Sequence, residues 1–255
     1  MRPSAFLILF LIIACSNEQS SKKASELPPA PLPTAPKESK GQDVAPEENT
    51  SDAQETAAPS VPKSERSVAP APIAGKDFVD IITLDPTIRL DIRYATTDNF
   101  TKSKIYDCPR CLLRPEAADG VVAAHKALKK KGLGLKMFDC YRPRPYQQRL
   151  WDKVPNPDYV TPPAKGSMHS RGAAVDLTIV DATGKELDMG TPYDFFGREA
   201  HTDNNNLPAK VLANRRILRE ALEASGLKGI RTEWWHFSYQ SKTWPLSDYV
   251  WPCDK

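Results

Sequence analysis

The sequence predicts an α+β fold, a single domain with a central antiparallel sheet flanked by helices. Three observations predict it. Strand-like and helix-like apolar patterns are interspersed from Asp77 onward. The strand pattern over Ala173–Val180 runs directly into the turn Asp181-Ala182-Thr183-Gly184, which favours antiparallel pairing there. Eleven of the 24 prolines fall in residues 1–75, among few large apolar side chains after residue 15, so a leader precedes the folded part, residues 76–255.

The leader has two parts. Met1-Arg2 is positive, and Ala5–Ala14 is continuously apolar. A helix of that length spans about 15 Å, half of a ~30 Å hydrocarbon core. Residues 1–15 therefore read as an export signal rather than a membrane span. Ile12-Ile13-Ala14-Cys15 resembles the bacterial lipoprotein signal. That resemblance implies lipidation of Cys15, a membrane anchor through the lipid, and a periplasm-facing exported protein. Ser16, following the Cys, is similar to lipoproteins of the outer membrane. Residues 16–75 are Pro, Ala, Ser, Lys and Glu with almost no large apolar side chains. They cannot bury enough surface to offset chain ordering, and read as a disordered tether with a reach of roughly 45 Å.

The elements follow in order. Phe78–Thr83 is strand-like. Ile88, Leu90, Ile92 and Tyr94 alternate with Arg89, Asp91 and Arg93, the period of a half-buried strand. Pro115 opens a helix over Glu116–Lys131, and Gly132 stops it. Leu133, Leu135 and Met137 alternate into a strand ending near Asp139. Pro145 opens a second helix through Trp151, and residues 154–166 form a Pro-rich loop. In Ala173–Val180, Val175, Leu177 and Ile179 share one face, and Asp176 lies on the other. Leu207–Ser225 is helical with Val211, Leu218 and Leu222 inward, and Ile230–Tyr239 is an aromatic strand.

Cys108, Cys111, Cys140 and Cys253 remain if Cys15 is lipidated. In an exported protein they form two disulfides, with three connectivities open. Cys111–Cys140 with Cys108–Cys253 is the preferred pair. A four-thiolate zinc site would want a second CxxC. A redox role for Cys108-Pro109-Arg110-Cys111 would want a strand before it and a helix opening at it.

Lys and Arg number 35 against 32 Asp and Glu, mixed along the chain. No basic stripe interleaved with aromatics exists, so a nucleic-acid partner is not expected. The chain has four histidines. His125 sits on the apolar side of the first helix and reads as packing; His201, in a polar loop, reads as solvated. His169 precedes the strand carrying Asp176, and His236 follows Glu233 by three residues. Two imidazoles and a carboxylate make a zinc set with an open fourth position, one ion per chain, with Glu233 as the base. Glu233 and His236 are an odd number apart, so a regular strand would point them to opposite faces. If both serve one site, the strand must begin, bend or bulge between them.

Ser167-x-His169-x-x-Gly172-x-Ala174-x-Asp176, Glu233-x-Trp235-His236 and Asp139-x-Tyr141-Arg142-Pro143 resemble the D-alanyl-D-alanine dipeptidases of the vancomycin-resistance type. Met189-Gly190-Thr191-Pro192-Tyr193-Asp194 and Asn214-Arg215-Arg216 are also similar to dipeptidase segments. The resemblance covers roughly residues 78–252. It implies the zinc fold shared with D,D-carboxypeptidases and the hedgehog domain. It also implies catalytic roles for Glu233 and Arg142. Asp194 would bind the substrate ammonium and Ser167 would add a hydrogen bond, with Asp139 and Tyr141 as further substrate-binding candidates. The substrate implied is D-Ala-D-Ala or a peptidoglycan stem fragment. Two other readings compete: a D,D-carboxypeptidase or endopeptidase, and a non-catalytic zinc module that binds wall fragments. Cys140 departs from the pattern, since a small residue is commoner there.

Overall fold

The computed structural model of the protein describes residues 77–253. The export signal, Cys15 and the tether lie outside the described residues.

Val79–Asp80 (β1) begins the described chain, and Asp80 then caps a single helical turn, Ile81–Leu84 (α1), by accepting from the Ile82 N–H. The strand expected over Phe78–Thr83 is thus cut short by a capping carboxylate. Arg89–Leu90 (β2) is all that remains of the strand expected to Tyr94. Beyond it Arg93–Ala95 turns as a 3₁₀ helix, and the Tyr94 carbonyl accepts from both Ile105 and Tyr106. Ile88, Ile92 and Tyr94 are nevertheless buried; the alternation reported burial correctly and regular pairing incorrectly.

Leu112–Leu113 (β3) pairs with β1 in a two-stranded ribbon. Pro115–Lys129 (α2) has its proline in the first turn, where the missing N–H costs nothing. Leu133–Asp139 (β4), Arg144–Lys153 (α3) and Ala174–Asp181 (β5) lie close to where the sequence placed them. Ala209–Glu223 (α4) buries Val211, Leu218 and Leu222. Leu227–Gly229 (β6) was not foreseen, and the last strand, His236–Tyr239 (β7), is shorter than expected.

The main sheet has the order β2-β4-β5-β7-β6. β2 runs parallel to β4, and every other pair is antiparallel. α2 packs against β4 and α4, and α4 packs against β5 and β6. Both faces of β5 are covered, so Val175, Leu177 and Ile179 on one side and Asp176 and Thr178 on the other are all buried. Truncating one such core leucine to alanine typically costs about 2–5 kcal/mol.

One irregularity matters for the site. Through Met137↔Leu177 the β4–β5 register is regular, and a bulge at Phe138 then sets Asp139 opposite Asp176. Without the extra residue Asp139 would face Val175 and turn away from Asp176. Two disulfides tie the loops to this frame. Cys108–Cys253 and Cys111–Cys140 are the pairs the sequence favoured.

Candidate metal centre and active site

Asp176 and His236 stand directly opposite each other across the β5–β7 ladder. Their shared face is a consequence of register, since partners in an antiparallel pair point the same way. His169 comes from the 3₁₀ turn His169–Arg171, just before β5. Gly172 closes that turn at φ +72°, donating its N–H to the His169 carbonyl. A Cβ there would lie 2.5 Å from the Phe78 ring, so both backbone sign and space require glycine.

The three side chains converge. His236 Nδ1 is 2.9 Å from Asp176 Oδ1, and His169 Nε2 is 3.2 Å from His236 Nδ1 and 3.3 Å from Asp176 Oδ1. Ligands held about 2.0–2.2 Å from a tetrahedral ion stand about 3.3 Å apart. The bonding also fits a cation. His169 Nδ1 donates to the Cys140 carbonyl at 2.7 Å, so Nε2 of the neutral ring presents a lone pair to a carboxylate and a second imidazole. Facing lone pairs in a buried site call for a positive centre between them. This is the one such His, Asp, Glu or Cys group among the described residues.

Electrostatics agree. Burial acts to raise the Asp176 carboxyl, but the His169 and His236 rings outweigh it and hold it far below the carboxylate range. Burial acts to lower His169, but Asp176 and Asp139 outweigh it and raise the ring above its ordinary value. The other Asp176 oxygen accepts from the Tyr193 hydroxyl at 3.0 Å, which fixes the carboxylate's rotation. Glu233 lies in irregular backbone before β7, and its Oε2 is 3.9 Å from His236 Nδ1. The strand begins between the two, which removes the parity conflict. Burial raises the Glu233 carboxyl, against the lowering pull of His236.

Ser167, Arg142, Asp194 and Glu233 line a cleft of about 230 Å³ together with the three converging residues. Arg142 is buried, with its N–H on the His169 carbonyl and its guanidinium 5.3 Å over the Tyr94 ring. Its Nε has no hydrogen-bond partner among the described residues. Asp194 has a left-handed backbone, φ +58°, and accepts from the Tyr94 hydroxyl at 3.1 Å. Burial and the Asp176 charge push its carboxyl well above the ordinary range.

Two expected substrate contacts are elsewhere. Asp139 is fully buried behind the cleft; it accepts from Tyr106 at 2.6 Å, and its Oδ2 is 3.7 Å from Arg142 and 3.6 Å from His169. The bulge that brought it opposite Asp176 left it beneath the surface. Tyr141 alternates to the far side, stacked 4.2 Å from Phe78 in the core. His125 is buried and bonded, as read. His201 is half-buried, and its ring faces Arg231 at 3.1 Å rather than open solvent. The sequence reading missed Tyr94, Tyr106 and Tyr193. Tyr193 sat beside Asp194 in a noted segment, and Tyr94 closed a noted alternation; neither pattern reveals where a hydroxyl ends.

A family model described as D-ala-D-ala dipeptidase matches residues 74–250. The chain belongs to this dipeptidase family. A D-alanyl-D-alanine dipeptidase of Escherichia coli K12 is 36% identical over 171 residues, covering 67% of this chain and 89% of its own. One from Enterococcus faecium is 32% identical, covering 65% and 92%, and one from Streptomyces coelicolor is 30% identical, covering 69% and 98%. Among solved structures the LdcB LD-carboxypeptidase is 21% identical at a TM-score of 0.34, covering 50% of this chain and 59% of its own. Membership in the dipeptidase family makes the chain a peptidase, and the converging triad is its candidate metal centre.

Proposed function

We propose that the protein is a zinc-dependent D-Ala-D-Ala dipeptidase. The observation that carries this reading is the chemistry of one small cleft. It sets a buried carboxylate, Asp194, and a buried guanidinium, Arg142, around the candidate metal ligands. A free dipeptide offers Asp194 an ammonium and Arg142 a carbonyl oxygen that gains negative charge, and the cleft is smaller than the ~300–1,000 Å³ of drug-sized pockets.

His169, Asp176 and His236 would hold the ion, which when bound supplies Lewis acidity and a water of pKa about 7. Glu233 takes the proton of the attacking water and passes it to the leaving amine. Arg142, whose side chain lines the cleft, brings its guanidinium charge to the oxygen that gains negative charge. Asp194 pairs with the substrate ammonium, which restores the carboxylate that burial disfavours. Ser167 adds a hydrogen bond. A blocked amine would leave Asp194 buried and unpaired, and this excludes longer peptides.

The test compares free D-Ala-D-Ala, its N-acetyl form and a stem pentapeptide with zinc-loaded protein. Hydrolysis confined to the free dipeptide is expected. Trimming of the pentapeptide with the dipeptide untouched would replace this reading with a carboxypeptidase. The proposal includes export: a lipid on Cys15 anchors the chain in the outer membrane, and residues 16–75 carry the domain away from it. Fatty-acid labelling that survives Cys15→Ala would remove the anchor.

A further inference from the structure

Two segments noted in the sequence are Met189–Asp194, which carries Tyr193 and Asp194 into the site, and Asn214-Arg215-Arg216, which has no part in the chemistry above. In the fold they meet. Asn214 is buried on α4, and its amide donates to the Asp188 carbonyl at 2.7 Å. Arg215 spreads its guanidinium over three more carbonyls: Nε to Met189 at 2.8 Å, Nη2 to Glu199 at 2.8 Å and Nη1 to His201 at 3.2 Å. Adjacent residues of one helix thus hold both ends of the excursion from 188 to 201.

That excursion carries two groups of the site. Tyr193 orients the Asp176 carboxylate, and Asp194 lines the cleft from a left-handed backbone. A non-glycine residue in that conformation costs energy and persists only where its surroundings hold it. Gly190, at φ +81°, lets the loop lie against α4; a Cβ there would come within 2.8 Å of Val211. The Thr191 hydroxyl accepts from the Trp234 indole at 2.8 Å, which joins the loop to the segment bearing Glu233. The Arg215 guanidinium also lies 5.9 Å from the Trp234 ring.

We infer that Asn214 and Arg215 are positioning residues for substrate recognition: they clamp the 188–201 loop so that Asp194 meets the substrate ammonium. The inference rests on the reading of Asp194 given above. Three different nitrogens of the fork reach these three carbonyls, whereas an ammonium carries its three donors on a single nitrogen and cannot span them. Lysine keeps the charge and loses the geometry.

The test is Arg215→Lys in the zinc-loaded full chain, with Asn214→Ala as the milder variant should the first fail to fold. KM for D-Ala-D-Ala rises tenfold or more, kcat falls by less, and the preference for free over N-acetylated dipeptide shrinks at least tenfold. Amide hydrogen exchange quickens across 189–201 while α2 keeps its protection. Wild-type KM and preference in a folded Arg215→Lys protein would overturn the inference. So would uniform destabilisation with the preference intact. If the wild type itself does not distinguish the two dipeptides, the reading of Asp194 has failed. Unchanged loop exchange in Arg215→Lys would then dispose of the clamp as well.

Discussion

Asp176 and His236 face each other across a strand ladder, whereas Arg142, Glu233 and Asp194 stand on irregular backbone at the ends of strands or beyond them. The first pair inherits its geometry from register, which cannot slip without inverting a buried face. The second set is held piecemeal. Arg142 is fixed by Pro143 and the His169 carbonyl, Glu233 by its neighbours in a packed Trp-Trp segment, and Asp194 by Tyr94. His169 belongs to both, being a loop residue whose ring rests on the backbone of Cys140. The comparison teaches that, on the proposed reading, metal binding and turnover should be separable, because different parts of the fold support the two sets of residues.

The largest expected effect breaks the floor of the site. His236→Ala loses the ion and all activity; elemental analysis returning near one zinc per chain would refute the ligand assignment. Glu233→Ala touches only the wall. It keeps one zinc and loses turnover by about 10³, or about 4 kcal/mol of barrier. A variant as active as the wild type would remove Glu233 from the mechanism.

The disulfides sharpen the contrast. Cys111–Cys140 holds the residue whose carbonyl orients His169, while Cys108–Cys253 touches none of the converging side chains. By loop entropy the 145-residue separation contributes roughly 5 kcal/mol and the 29-residue separation roughly 4. Replacing both cysteines of each pair by alanine should therefore reverse the order of damage. The long bridge costs more stability, and the short one costs about 10–100-fold in zinc affinity. Equal affinities in the two variants would show that Cys140 does not position His169.

The smallest effect tests the far end of β4. His125 Nδ1 accepts from the Leu135 N–H, and its other nitrogen meets Thr87 at 2.9 Å. Burial lowers its pKa, against the opposing pull of Asp85, so the folded protein binds this proton less readily than the unfolded chain. Its stabilising share is present above the unfolded value of about 6.5 and is lost as pH falls below it. His125→Gln should flatten this acid-side loss in melting temperature and leave zinc content unchanged. An unaltered pH slope would show that another group carries it.

The site was legible to the extent that chemistry is local. His169, Asp176, Glu233 and His236 could be singled out because few residue types bind zinc and because their neighbours are small or aromatic. The strand holding Asp176 could be read from its own alternation. Asp139 and Tyr141 were misplaced because a bulge and a core stack set their directions, and neither leaves a mark in residue spacing. β6 was invisible because three residues carry too little period to read.

Taken alone, the sequence determined the helices α2 and α4, the strands β4 and β5, the pairing favoured for four cysteines, and the set of residues able to hold an ion. Those depend on short-range periodicity and on side-chain identity. Tertiary structure decided which of those residues meet. The β5–β7 register, the bulge at Phe138 and the clamp on the 188–201 loop all join segments distant in the chain. Their energies come from packing and hydrogen bonds that exist only once both partners are in place.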